Sequence, residues 1–360
     1  PEAFDRLCAG LALSDQPATP VSPVWVADGQ VNYSSMSDIF CQGLSCEQLE
    51  RLLRHNTGRE RRELATTGNH LDPETAKRLT ARHPDAFRLH YSVVTLSAEL
   101  REALFTRPAS PATVLATVAA LREPKLYLCH FDPQRTIADL QALDAVAQPG
   151  ARVQIARLHC TRLHSDELRA LAHRSAQGLD QVVDWLAGHR PQLRNLAEIG
   201  FQAPAEGYAW RFRHELREWL RPLALGAGDA VLCSPAAWDV LRREAVPPEA
   251  AVVPVFDSLG ASTSFTTTIS GENVLAGVRR LRDGRPLRRV VLPDSIFWVQ
   301  DRYALDGCAA DDLRAQLPGI ELTVLAIPHE MRRARLSLEE CLDYFEHSPG
   351  ARRQPEPRAY

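Results

Sequence analysis

The chain has no uncharged apolar run long enough to span a bilayer, no Cys-x-x-Cys pair, no glycine-rich loop ending in lysine and no excess of either charge. Each gap removes a class of protein. Without the long run there is no membrane-spanning helix to expect. With 42 basic against 45 acidic side chains, net -3, nothing draws the whole molecule to nucleic acid or to an acidic membrane. Without the glycine-lysine loop there is no P-loop. Eight cysteines, Cys8, Cys41, Cys46, Cys129, Cys160, Cys233, Cys308 and Cys341, are too scattered for a disulfide scaffold. Several stand in apolar runs, where cysteine behaves as a small buried hydrophobe. The first residues carry no basic segment followed by an apolar one, and the expected setting is the reducing cytoplasm.

What is present is an ordinary globular composition, 45% hydrophobic over 360 residues, so a core can form without metal or disulfide support. Short apolar runs alternate with amphipathic segments along most of the chain. LDPETAKRLTARH predicts a helix opening near Asp72 and Pro73. AFRLHYSVVTL, EPKLYLCHFDP and ARVQIARLHC predict strands, with SAELREALF and IADLQALDAVAQPG as helices between them. After a helical tract broken near Gly178 comes a second series. DAVLCSP, AVVPVF, RRVVLP and IELTVLAIP are its strands, AAWDVLRREAV and NVLAGVRRLRDG its first helices, and RARLSLEECLDYFEH its closing helix. This order predicts an α/β fold of open, mostly parallel sheets with crossover helices, in two lobes. The expected division is an N-terminal α/β lobe over 1–205, a C-terminal α/β ligand-binding lobe over 206–349 and a tail over 350–360.

In such sheets ligands sit beyond the carboxyl ends of the strands, which is where Ser234, Asp257, Ser258 and Asp294 should fall. Asp257, following AVVPVF, is placed to accept a proton. His329, at the exit of the last strand, is a second candidate base, and Arg302 could steady an anion through its planar fork of donors. The tract from Ser258 to Gly271 is rich in hydroxyls: Ser258, Ser262, Thr263, Ser264, Thr266, Thr267, Thr268 and Ser270. Its end opens the next helix, whose free amides would favour an anion. That reading makes the tract a phosphate, carboxylate or sulfate cradle. The alternative is an ordinary Ser/Thr loop with Ser270 as a helix cap. Asp294 and Asp301 flank SIFWVQ, and if that stretch is extended Asp294 and Ser295 point to opposite faces. Otherwise Asp294 marks the strand exit.

Other clusters carry less. His159, Cys160 and His164 have donor atoms that suit zinc but do not make up a coordination sphere, and no metal site is assigned. His130 and Asp132 form a possible acid/base pair or a polar strand exit. Cys233 and Ser234 lack a nucleophile elbow and read as a buried strand residue and a turn or cap.

The stretch DAVLCSPAAWDVLRREAVPPEAAVVPVFDS is similar to one strand-helix-strand portion of two-domain glycosyltransferases, and that resemblance implies transferase chemistry. PDSIFWVQD superficially resembles a carboxylate-bearing segment of guanidine-modifying enzymes. The later histidine and cysteine arrangement of those enzymes is missing, so none of their roles is carried over. The functional expectation is a metal-independent transferase in small-molecule metabolism, acting on an anionic, phosphate-containing substrate. A nucleotide-linked sugar is the candidate donor, with Asp257 or His329 activating the acceptor. An isomerase or hydrolase built on a histidine-carboxylate pair and a noncatalytic anion-binding protein are the alternatives. No nucleic-acid or membrane partner is indicated.

Overall fold

The structure is a computed structural model that describes residues 25–27, 30–32, 46–47, 50, 62–84, 87–158, 160, 165–174, 177–189, 198–199, 212–257, 269–297, 302–327 and 336–347. The chain divides into two compact units. One takes the described residues of 1–129, 133–155 and 184–197, the other those of 130–132, 156–183 and 198–360.

A short antiparallel pair, β1 (Trp25–Ala27) and β2 (Gln30–Asn32), has Ala27 opposite Gln30. A five-stranded sheet follows, in the sequential order β3 (Arg62–Thr66), β4 (Phe87–Val94), β5 (Lys125–His130), β6 (Arg152–Arg157) and β7 (Glu198–Ile199). β3, β4 and β5 are mutually parallel. The helices between strands are α1 (Pro73–Arg82), α2 (Ala98–Leu104), α3 (Pro111–Ala120) and α4 (Pro133–Val146). Their starts are written locally. Asp72, Ser97 and Ser110 each accept a hydrogen bond from an amide of the first turn, and Pro73 and Pro111 occupy a first helical position where no N–H is needed.

β4 alternates buried and half-buried residues, so Leu89, Tyr91 and Val93 share one face with Arg88, His90 and Ser92 on the other. At its exit Val94 has a φ of 64°, strained for a β-branched residue, and Thr95 N donates to Val93 O at 2.8 Å. Arg101, 1% exposed, holds this turn: Nη1 donates to Val93 O and Thr95 O, Nη2 to Asn69 Oδ1 and Nε to Ala109 O. Burial pulls the Arg101 pKa down, opposed by Tyr91 and Asp139. A sheet in sequential order has no point at which the strand order reverses, and crossovers of one hand place its helices on one face.

The helical tract beyond β6 is α5 (Asp166–Arg174) and α6 (Leu179–His189), and Gly178 between them has a φ of 77°. α7 (Leu216–Leu220) leads to the second sheet. Its strands are β8 (Asp229–Cys233), β9 (Ala251–Pro254), β10 (Arg289–Pro293) and β11 (Glu321–Leu325), all parallel, in the order β11-β10-β8-β9. α8 (Pro235–Val240), prolonged by a π-turn at Leu241–Ala245, joins β8 to β9. α9 (Gly271–Arg282) carries the chain from β9 back past β8 to β10, and α10 (Ala310–Gln316) joins β10 to β11. α11 (Leu338–His347) follows.

The alternation along β8 sorts its side chains into two cores. Val231 and Cys233, with Val291, pack with Leu216, Ala237, Leu241 and Ala245 on one face. Ala230 and Leu232, with Val290 and Leu292, pack with Val274, Leu275, Val278 and Leu313 on the other. Helices thus cover both faces, and each fully buried aliphatic side chain contributes about 1.5–3 kcal/mol. The fold is α/β with two mostly parallel sheets. Among the described residues no helix is long and apolar enough to cross a membrane.

Candidate functional site

The order β11-β10-β8-β9 reverses between β8 and β10, because the connection from β8 goes one way and the connection into β10 returns the other. That reversal marks the crevice at which open parallel sheets take ligands. The strand ladders end unevenly at this edge. β8 pairs with β9 as far as Cys233–Pro254, and β10 pairs with β11 as far as Pro293–Leu325. Between β8 and β10 the ladder stops at Val231–Val291. Pro293, the last residue of β10, has no N–H to extend a ladder.

Polar residues follow these strand ends, some of them buried. Ser234 follows β8 and is completely buried, and its Oγ has no hydrogen-bond partner. It stands at the N-cap of α8, where a serine ordinarily accepts an amide hydrogen bond, yet it makes no side-chain cap. Pro235 begins that helix and Ala237 N donates to the Ser234 carbonyl, so the turn closes through the backbone. On the β10 side Ser295 Oγ is also buried without a partner. Asp294–Phe297 form a short 3-10 turn, so the alternation of an extended SIFWVQ does not apply and Asp294 marks the strand exit. Its Oδ1 accepts from Ile327 N at 3.2 Å, tying the exits of β10 and β11 together. Asp257 is 8% exposed and lies just past β9, where Val255 N still donates to Cys233 O. Phe256, next to it, is exposed. Ser234, Asp257 and Asp294 thus all fall at strand carboxyl ends.

The described end of the hydroxyl-rich tract is a helix cap. Ser270 Oγ accepts from Asn273 N, and Asn273 Oδ1 accepts from Ser270 N. The next two amides meet a carboxylate from within the chain: Gly271 N donates to Asp306 Oδ1 at 3.0 Å and Glu272 N to Asp306 Oδ2 at 3.2 Å. All the amides that would cradle an added anion at Ser270 and Gly271 are engaged by the protein. Gly271 answers a packing need, since a Cβ there would lie 2.5 Å from both Cβ and Sγ of Cys308. Arg302 is exposed, its guanidinium carbon 5.2 Å from the centroid of the Tyr303 ring. Ser258, Ser262, Thr263, Ser264, Thr266, Thr267, Thr268 and His329 lie outside the described residues, as do the tail and His159 and His164.

Compared with known proteins, the chain matches no family model and no curated sequence.

Of the remaining candidates, Cys160 is buried with Sγ 3.5 Å from Leu168 O, and burial pushes its thiol pKa up. His130 is wholly buried, its Nε2 2.8 Å from Gln177 O. A carbonyl only accepts, so Nε2 carries the proton in that contact. Cys233 is a core residue whose thiol burial pushes far up. Among the described residues no three His, Cys, Asp or Glu side chains are grouped to hold a metal. Sequence reasoning missed Asp306 and gave Ser295 no role beyond its facing relative to Asp294. Nothing local marks either, because one is defined by lacking a partner and the other by a partner far along the chain.

Proposed function

We propose that this chain is a transferase acting on a phosphate-containing small molecule, with nucleotide-linked sugars as the donor class. The observation that carries the reading is the reversal of strand order between β8 and β10, with the buried carboxylate Asp257 at the exit of β9, the neighbour of β8. In this reading Asp257 takes the proton of an acceptor hydroxyl as its oxygen attacks the anomeric carbon. The bond from that carbon to the donor phosphate breaks, and the nucleotide leaves. His329 is the alternative base. The hydroxyls of Ser262, Thr263, Ser264, Thr266, Thr267 and Thr268 and the guanidinium of Arg302 are the proposed phosphate-binding groups, since the amides at Ser270 and Gly271 are engaged. A cytoplasmic setting goes with this reading and with the free thiols of Cys46, Cys129, Cys160, Cys233, Cys308 and Cys341.

The test is a panel of nucleotide-linked sugars offered to the full chain, with binding followed by calorimetry and nucleotide release followed by chromatography. One donor is expected to bind and to turn over with an acceptor alcohol. Asp257→Asn should then lower kcat by about 10²-fold with little change in KM, as expected for loss of a general base. Unchanged kcat in that variant would remove Asp257 from the chemistry. Binding without turnover would leave the noncatalytic reading, and rearrangement or hydrolysis of the sugar without transfer the isomerase or hydrolase reading.

A further inference from the structure

We infer that the edge of the second sheet at which its strands begin is a docking surface for the phosphate backbone of a nucleic acid. This edge is at the opposite end of the strands from the candidate site, so the inference stands apart from the transferase reading.

The residues that carry it are the last turn of α9 and the turn leading into β10. Between 279 and 289 stand six arginines, Arg279, Arg280, Arg282, Arg285, Arg288 and Arg289, and one acid, Asp283. The fold uses the last two. Arg289 Nη2 donates to Asp229 Oδ2 and Leu223 O, and Arg288 Nη2 donates to Asp229 Oδ1, although the Arg288 side chain is 68% exposed. The backbone here ties the strand starts together. Arg288 N donates to Gly228 O ahead of β8, and Arg288 O accepts from Glu321 N at the start of β11. Arg285 Nη2 donates to Glu249 O ahead of β9 at 3.2 Å. The packed sheet thus fixes these arginines along one edge.

Arg279, Arg280 and Arg282 have no such part in the fold. All three are exposed, and among the described residues none of them is paired with a carboxylate. Arg280 Nε donates to a carbonyl of its own helix, Ala276 O. A cation in the last turn complements the helix dipole. Elsewhere in the chain that need is met by one residue or none. α1 has Arg82 in its last turn, α6 has His189 and α11 has His347, while α3 and α4 have no basic residue there. Three arginines at the end of α9 exceed the need, and like charges this close on a helix repel one another.

The surroundings of the surplus select the partner. No aromatic side chain lies within 279–289, so nothing there stacks on a base, and contact is with phosphates whatever the sequence. The large apolar side chains exposed among the described residues, Phe256 and Leu305, follow strand exits, which leaves no apolar anchor at this edge for a lipid layer. Glu249 and Glu321 are exposed at the starts of the two outer strands, β9 and β11, with the arginines between them as the positive middle of the edge. The planar fork of a guanidinium matches a phosphate. A nucleic-acid duplex presents phosphates in a stiff row, so several are engaged without the ordering cost that a flexible acidic peptide bears.

The experiment measures binding of the full chain to fluorescent DNA and RNA duplexes of mixed sequence, by anisotropy over a series of salt concentrations. Vesicles containing anionic lipid and a polyglutamate peptide are the competing polyanions. The proteins are wild type, the triple variant Arg279→Gln, Arg280→Gln, Arg282→Gln, and Arg169→Gln as an exposed arginine on α5. Circular dichroism confirms that each variant is folded. The wild type is expected to bind a duplex of at least one kind, with affinity falling as salt rises by a slope of about 0.9 per phosphate contact. The triple variant should bind at least about tenfold more weakly and lose about 2–3 from that slope, while Arg169→Gln leaves both unchanged. Absence of duplex binding at about 50 mM salt would overturn the inference, as would an equal affinity in the triple variant. Vesicles or polyglutamate bound as tightly as the duplexes would overturn it too, by making the edge a surface for another class of partner.

Discussion

Ser234 and Ser270 are the same residue type in the same kind of position, each ahead of a helix, and they carry opposite energies. Ser270 Oγ accepts the amide of Asn273, so removing it leaves an amide short of a partner. Ser270→Ala should therefore cost about 1 kcal/mol. Ser234 makes no cap and its hydroxyl is buried without a partner, so alanine there deletes a desolvated group and loses no bond. Ser234→Ala should leave stability unchanged or raise it by about 1 kcal/mol. Urea midpoints of the two variants without ligand check the difference in sign. A residue that is stabilised by removal is one kept for something other than the fold.

Asp229, at the opposite end of β8, shows a polar group kept for the fold. Its side chain has no exposure, and it accepts from Arg289, Arg288 and Gly226 N. Burial works against its charge, but the hydrogen bonds from Arg289, Gly226 and Arg288 outweigh this and hold its pKa below the usual Asp value. A folded pKa below the unfolded one means stability that is fully present above the unfolded value, about 3.9, and is lost as pH falls through the lowered folded pKa. Asp229→Asn should cost about 2–3 kcal/mol at neutral pH, because it leaves Arg289 buried and short of its counter-charge. That deficit should shrink on acidification, as the wild type loses the same contribution. Urea titrations of both proteins across the acid range would show curves that converge. Parallel curves would mean that Asp229 stabilises by shape alone.

At the scale of elements, the start of α9 is a place where two distant parts of the chain meet closely. Asp306 reaches back to the amides of Gly271 and Glu272, and Cys308 lies where a side chain on residue 271 would go. Gly271→Ala should destabilise by about 1–3 kcal/mol through overpacking. Cys308→Gly removes the atoms it would strike, so the double variant should be more stable than the sum of the two single changes. A double-mutant cycle by thermal melting measures that coupling.

This element also shows where sequence reading stops. The Ser270 cap was legible because its partner is three residues away, and α1 was legible because Asp72 and Pro73 announce it. The strands β8 to β11 were legible as apolar runs with turn signals at their ends. The 3-10 turn after Pro293 left two readings open, since SIFWVQ is apolar enough to continue a strand. What fixes Asp294 there is a bond to Ile327, a contact made only once β11 is in place. The docking of Asp306 and the two hydroxyls without partners have the same character. They are properties of the packed structure, and no short pattern encodes them.

For the whole molecule, the sequence carried fold class further than topology. Alternating apolar runs and amphipathic helices fit either strand order, sequential or reversed. Only the pairing distinguishes the sheet from β3 to β7, which has no reversal, from the sheet of β8 to β11, which has one between β8 and β10. The reversal is the position at which open parallel sheets commonly take ligands, so the candidate site was legible as a set of strand exits and not as a particular pair of strands. Among the described residues, the members of both core clusters of the second sheet lie within 212–327. A segment of about 150 residues buries enough surface to fold alone. The fragment 206–349 should therefore melt cooperatively and keep the binding that the full chain shows. Calorimetry of the fragment, alone and with the nucleotide-linked sugar that the full chain binds, checks both halves of this prediction. A cooperative melt without binding would mean that the site needs residues from before 206. Failure to melt cooperatively would mean that the two clusters are not sufficient, and that the segments at 130–132 and 156–183, which belong to the same compact unit, supply the missing burial.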